Sequence, residues 1–327
     1  RQSVGLSHNP LTDAFRLVHK EGDSLPGLII DVYGEMAVLQ AHTTGMHDIR
    51  QQLAEAVLKA AEGRITTVYD KSADAIRKMT GRKVEDGFLA GTTGACEVLE
   101  NGHRFFVDAV SGQKTGFFLD QRENRECLAR YAAGKNVLNM FGYTGGFSVY
   151  AAKAGAALVH TVDSSAPAIA MASKNMQLNG FIGSGYDCIV ADARKYIENM
   201  NQDQYDLVIL DPPAYAKNVA SRNQALKGYR TLNALALAKI KSGGILFTFS
   251  CSQVVDRQMF TSAVTAAAID AGRHVRIIQH LSQPADHPVN IFHQEGEYLK
   301  GLVLMVEKLK KRISRPIQGG LYFSCLS

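Results

Sequence analysis

The sequence predicts an α/β protein: a mostly parallel sheet covered by helices on both faces, preceded by a small α+β unit. Two observations carry this. From about residue 110 apolar strands alternate with helical stretches, the strands falling at 136–141, 157–163, 188–191, 206–211, 244–250 and 275–280. Alternation of that kind belongs to a parallel sheet wrapped on both faces. Before residue 110 the pattern differs, with paired strand runs, one amphipathic helix and a glycine-rich connection. A length of 327 residues has room for both parts.

Taken in order, residues 1–11 read as an N-terminal stub, 12–109 as the α+β domain, 110–307 as the α/β domain and 308–327 as a solvated tail rich in Lys and Arg at its start. Leu28 to Tyr33, Gly34-Glu35 and Met36 to His42 read as a hairpin. Ile49, Leu53, Val57 and Leu58 recur at helical spacing. Glycines scattered over 80–95 suggest a loose connection. Asn101-Gly102, between Val98-Leu99 and Phe105-Phe106-Val107, is a two-residue hairpin signal. A helix is expected to begin at Asp120, which can form a capping box with Glu123, and to end near Gly134.

Composition excludes more than it selects. Hydrophobic residues make up 46% and charged residues 20%, ordinary for a chain with a sizeable core. No apolar run reaches the ~18 residues of a membrane span. Arg1-Gln2-Ser3 has neither an initiator Met nor a signal-peptide core, so a trimmed chain lacking an upstream domain is expected. The cysteines, at 96, 127, 188, 251 and 325, are odd in number and lack zinc-ligand spacing. Few, scattered cysteines point to a reducing cytoplasm and to no metal. A net charge of +5 permits a polyanionic partner without requiring one.

Ligands of such sheets bind at the carboxyl ends of the strands. After the first strand comes Asn139-Met140-Phe141-Gly142-Tyr143-Thr144-Gly145-Gly146. Glycine there lets the backbone approach a ligand, but the spacing is not G-x-G-x-x-G, and an ordinary strand-to-helix turn explains it as well. The second strand ends in Asp163-Ser164, placed to accept from ribose hydroxyls. The third is followed by Asp192-Ala193, whose carboxylate can accept from an adenine amino group. Either Asp alone is commonly a helix cap. Together, the three strand ends suit a cofactor with adenosine but no pyrophosphate, which favours S-adenosylmethionine over NAD.

The fourth strand ends in Asp211-Pro212-Pro213-Ala214, the fifth in Ser250-Cys251-Ser252. The prolines fix an extended backbone that directs Asp211 into the crevice, although Pro-Pro also simply ends strands. Cys251 faces the same crevice, where a buried structural thiol is the plainer alternative. C5 of a pyrimidine is a poor nucleophile. A thiolate that adds to C6 activates it, and a carboxylic acid at N3 of cytosine stabilises the adduct. Cys251 suits the first role and Asp211 the second.

At these residues the chain resembles the bacterial large-subunit (23S) ribosomal RNA cytosine-C5 methyltransferases of the RlmI type. The matching segments are Gly22–Leu28, Gln113–Arg122, Phe141–Phe147, Asp211-Pro212-Pro213, Thr248–Ser252 and Asp286-His287-Pro288, in family order over roughly 12–307. The resemblance implies a Rossmann-like class I methyltransferase domain with a mostly parallel seven-stranded sheet. It implies a cofactor pocket lined by Thr115, Phe118, Leu119, Asp120 and Arg122, besides Asn139, Phe141, Gly142, Tyr143, Thr144, Asp163, Ser164, Asp192, Ala193, Asp211 and Pro212. The implied partner is 23S ribosomal RNA, with no membrane and no metal; a homodimer stays open. Family members usually begin with a PUA RNA-binding domain, here expected to be absent or a stub, so RNA binding is expected to be weak and salt-dependent. Three other readings stay open. Uracil-C5 methylation uses the same adduct. Amino-group methylation prefers an aromatic directly after Pro-Pro, and Tyr215 comes one residue late. An idle RNA-binding or assembly factor would not need Cys251 and Asp211.

Overall fold

A computed structural model describes residues 1–308. The chain opens with strands β1 (Ala14–His19), β2 (Leu28–Tyr33) and β3 (Met36–Ala41), then helices α1 (Thr44–Asp48) and α2 (Arg50–Ala60), β4 (Thr67–Asp70), α3 (Ala73–Thr80) and β5 (Gly87–Ala90). The five strands form one sheet in chain order. The β2–β3 hairpin stands where the sequence puts it. Residues 80–95 are not merely a loose connection, because β5 pairs antiparallel with β4. α2 turns Ala54 and Val57 inward and leaves Ile49 at its start exposed.

Strands β6 (Ala95–Glu100) and β7 (His103–Asp108) form a separate hairpin. Its turn holds Asn101 at φ 50° and Gly102 at φ 76°. Two consecutive left-handed residues make the tight turn that Asn-Gly accepts at little cost.

The remaining elements are α4 (Arg122–Ala132), β8 (Asn136–Met140), α5 (Gly146–Lys153), β9 (Leu158–Asp163), α6 (Ala166–Leu178), β10 (Tyr186–Val190), α7 (Ala193–Asn199), β11 (Leu207–Leu210), α8 (Arg222–Lys239), β12 (Gly244–Ser250), α9 (Arg257–Asp270), β13 (Arg273–Leu281) and β14 (Lys300–Lys308). They build a seven-stranded sheet in the order β10-β9-β8-β11-β12-β14-β13, parallel except for β14. Of this sheet, sequence reading found every strand but β14, whose last residue, Lys308, it assigned to the tail. Residues 309–327 of that tail lie outside the described residues.

Period-two alternation sets the two faces. Val137, Leu207 and Ile209 join a core with Leu128 of α4 and Val149 of α5. Their neighbours Leu138, Val208 and Leu210 join another with Ile197 of α7, Leu232 of α8 and Phe260 of α9. The first of these cores also takes in Tyr33, Met36 and Val38 from β2 and β3, and Phe105 from β7. Apolar packing is thus continuous across residue 110. Strand order reverses between β8 and β11, opening a crevice at their carboxyl ends.

The expected capping box is absent. A single 3-10 turn (Leu119–Gln121) precedes α4, which starts at Arg122 without a side-chain cap. Asp120 turns inward to the Tyr298 hydroxyl, and Glu123 accepts from the backbone N–H of Ala285. Tertiary partners outcompeted the local cap.

Candidate active site

The turn after β8 is held in an unusual shape. Phe141 (φ 57°) and Tyr143 (φ 46°) are left-handed, a conformation costing about 1–2 kcal/mol for a residue with a side chain. Three hydrogen bonds hold it: Gly142 N–H to the Val162 carbonyl (3.0 Å), Gly145 N–H to the Gly142 carbonyl (2.8 Å) and Tyr143 N–H to Asp163 Oδ2 (3.0 Å). Gly142 is required by close approach, since a Cβ there would stand 2.5 Å from the Thr161 methyl. Asp163 Oδ1 also accepts from Ser165 N–H (2.9 Å).

Beside this turn lies a cleft of about 450 Å³. Phe141, Asp163, Ser164, Asp192 and Ala193 line one side, and Tyr215, Lys227, Gly228 and Leu232 the other. Its size is that of a small-molecule site. Asp192 is also a helix cap, accepting from Lys195 N–H (2.9 Å). The α8 wall escaped sequence reading. Its one signal was Tyr215, an aromatic two residues beyond Pro-Pro.

Other expected cofactor residues have structural partners. The Thr115 hydroxyl donates to Asp31 (2.6 Å) and meets the Tyr33 hydroxyl (2.9 Å), so it joins the small sheet to the site. Arg122 is buried in a two-pronged ion pair with Asp286 (2.8 and 2.9 Å), which leaves its guanidinium face committed. Leu119 is core. The Asn139 amide donates to Ser148 (2.9 Å), with its oxygen buried and unpartnered. Thr144 is buried, its carbonyl accepting from Asn175 (2.9 Å). Phe118 packs edge-on against Tyr143 at 5.0 Å beneath the Lys114 ammonium.

Parallel pairing of β11 with β12 brings Asp211-Pro212 and Cys251 together. The thiol points at the Pro212 carbonyl, 3.9 Å away. Burial first, then the Asp120 charge, pushes the Asp211 carboxyl up to about 7, against opposing contributions from Lys114 and Gln121. Gln121 Nε2 donates to Asp211 Oδ2 (3.0 Å) and is fixed in turn by Asn124 (2.6 Å). Gln121 lies in the Gln113–Arg122 segment, but nothing local marked it as the partner of Asp211. Asp120, although buried, is held below the ordinary carboxylate range, because Lys114, His287, the Tyr298 hydroxyl and Arg16 together outweigh burial. One carboxyl beside the crevice is therefore ionised and the other readily protonated. Burial, then Asp211, pushes the Cys251 thiol up to about 11.

S-adenosylmethionine fits these residues. The strained turn brings backbone close to the cleft, and the Asp163 carboxylate, a hydrogen-bond acceptor, lines it. A model of the S-adenosylmethionine-dependent methyltransferase family matches residues 84–290. A protein named ribosomal RNA large subunit methyltransferase I, from Shewanella denitrificans, is 41% identical over 296 residues, 89% of this chain and 74% of that protein. A protein from Streptococcus mutans described as an S-adenosylmethionine-dependent methyltransferase superposes with a TM-score of 0.81 at 26% identity, covering 93% of this chain and 78% of the other. A methyltransferase crystallised with S-adenosylhomocysteine gives 0.79 at 26%, covering 91% and 77%. Strand order, crevice and kinship agree: the chain belongs to the S-adenosylmethionine-dependent methyltransferases, in the family of ribosomal RNA large subunit methyltransferase I.

Proposed function

We propose that this chain methylates C5 of a cytosine in large-subunit ribosomal RNA, with Cys251 as nucleophile and Asp211 as the acid at N3. The observation that carries the reading is the pairing of a thiol with a readily protonated carboxyl at adjacent strand ends, beside the cofactor cleft. S-adenosylmethionine supplies an electrophilic methyl group. The chain's own residues supply the rest. The Cys251 thiolate forms a bond to C6, and the C5=C6 electron pair moves to C5, which becomes the nucleophile. Asp211, half of whose carboxyl is fixed by Gln121, offers its proton to N3. After transfer the C5 proton leaves to a base, the C6–S bond breaks and the thiolate is restored.

Asp211 favours cytosine over uracil. Unprotonated N3 of cytosine accepts a hydrogen bond, whereas N3 of uracil carries a hydrogen, and a carboxylic acid is a donor. A target paired in a helix must be flipped out, so loop and junction nucleotides are the expected sites. Large-subunit RNA is the substrate named for the relatives, and a cytoplasmic setting follows from this reading. No helix of the described residues is long and apolar enough to cross a membrane.

The test uses 5-fluorocytidine in ribosomal RNA. Wild-type protein is expected to be trapped on it, since fluorine blocks loss of the C5 substituent, and Cys251→Ala is expected to keep cofactor affinity and lose both trapping and methyl transfer. Methylation by Cys251→Ala at the normal rate would remove the covalent mechanism.

A further inference from the structure

Two buried amides stand behind Asp211, and their orientation decides which of its oxygens can carry a proton. Gln121 ends the 3-10 turn before α4 and Asn124 lies in the first turn of α4; both are buried. An amide has an acceptor at one end and two donors at the other, and its neighbours determine which end points where. Asn124 Nδ2 reaches two oxygens: the Ser282 carbonyl just after β13 (3.1 Å) and Gln121 Oε1 (2.6 Å). A backbone carbonyl can only accept. Turned over, Asn124 would set its own oxygen against the Ser282 carbonyl. The carbonyl therefore fixes the Asn124 NH2 between the two oxygens. The second N–H of Asn124 needs an acceptor, which fixes Gln121 Oε1 toward it. Gln121 Nε2 is then left facing Asp211 Oδ2 as a donor (3.0 Å).

This chain of donors ends on one particular oxygen. Because Oδ2 accepts from Gln121, the proton of a neutral Asp211 belongs on Oδ1. A hydrogen on Oδ2 would stand against the Gln121 N–H. Asp211 is only partly buried, and its Oδ1 has no hydrogen-bond partner among the described residues. Reversing the chain would reverse the carboxyl. Gln121 Oε1 facing Asp211 would draw the proton to Oδ2 and leave Oδ1 a bare acceptor. A hydrogen on Oδ1 matches N3 of cytosine, which accepts; a bare Oδ1 matches N3 of uracil, which donates.

We propose that the Ser282–Asn124–Gln121 relay sets the base specificity of this site: by donating to Oδ2 it keeps the Asp211 proton on Oδ1, the register that favours cytosine over uracil. The proposal rests on the reading of Asp211 as the acid at N3. In the step itself the Oδ1–H bond breaks, an N3–H bond forms, and the electron pair stays on the carboxylate, which Gln121 still holds at Oδ2. The proton returns to Oδ1 when the adduct collapses. Gln121 and Asn124 are positioning residues, acting through Asp211.

The experiment compares wild type with Gln121→Glu, using the full chain, S-adenosylmethionine and ribosomal RNA carrying cytidine or uridine at the position that wild type methylates. Gln121→Glu keeps the shape and replaces the donor by an oxygen. Two facing carboxyls share one proton, which then lies on the Oδ2 side. The ratio of kcat/KM for cytidine over uridine is expected to fall by about tenfold or more, with S-adenosylhomocysteine affinity unchanged. A wild-type rate and ratio would overturn the proposal, and so would a loss of rate that leaves the ratio as it was, which is what a merely structural role predicts. Should Gln121→Glu fail to fold, NMR of wild type decides. The Gln121 side-chain amide protons are expected to shift as the Asp211 carboxyl carbon titrates, and amide signals that stay fixed through that titration overturn the proposal. Failure here is distinct from failure of the acid reading, which Asp211→Asn methylating cytidine at the wild-type rate would strike directly.

Discussion

Removing the Asp163 carboxylate tests the cofactor site most directly. In the structure it accepts from Tyr143 N–H (3.0 Å) and Ser165 N–H (2.9 Å), and it lines the cleft. Asp163→Ala therefore has two effects. It deletes the acceptor proposed for the ribose hydroxyls, and it releases Tyr143 from a left-handed conformation costing about 1–2 kcal/mol. Hydrogen bonds to a charged group contribute about 1.5–3 kcal/mol, and the cleft is partly open to water, so about 1–3 kcal/mol of cofactor affinity should go. That range raises Kd roughly 5- to 160-fold. Asp163→Asn keeps one carbonyl oxygen toward the turn and should fall at the low end. Calorimetric titration of S-adenosylhomocysteine into each variant measures this, with apo thermal unfolding as the control for folding. A Kd for Asp163→Ala within twofold of wild type would refute the assignment of this strand end to the ribose.

Two further outcomes follow from buried carboxyls. Asp211 is pushed up to about 7, so its acid form is lost as pH rises through that value; methyl transfer under subsaturating RNA should show a descending limb near pH 7, which Asp211→Asn abolishes along with roughly 10²- to 10⁴-fold of the rate. A rate that climbs smoothly through pH 8 in wild type would argue against Asp211 as the acid. Asp286→Ala strands the buried Arg122 guanidinium and also removes the acceptor of Arg16 N–H (2.9 Å), a loss of about 3–5 kcal/mol by urea unfolding. Asp286 is held well below the ordinary carboxylate range, where the His287 and Arg122 contacts outweigh burial. Its stabilisation is therefore present above the ordinary carboxylate pKa and lost as pH falls toward the folded value, so the variant should be less sensitive than wild type to acid unfolding.

Short-range pattern alone determined the alternation of strands and helices in the second part of the chain, the Asn101-Gly102 turn and the place of Phe141, Asp163, Asp192, Asp211 and Cys251 at the carboxyl ends of strands. Such features follow from apolar runs and turn chemistry within a few residues, and in a parallel sheet the residue after a strand is at the functional edge by construction. Partnership across the chain was illegible. β14 was missed because it enters antiparallel between β12 and β13, and no local period announces that insertion. Asp120 looked like a helix cap until Tyr298, 178 residues on, supplied a donor. Arg122 looked like a cofactor ligand, yet its charge is spent on Asp286, 164 residues away. Gln121 acquires meaning only beside Asp211. Periodicity reports which face a residue occupies; which donor meets which acceptor, and hence which carboxyl keeps its proton, is decided only when distant segments are buried together.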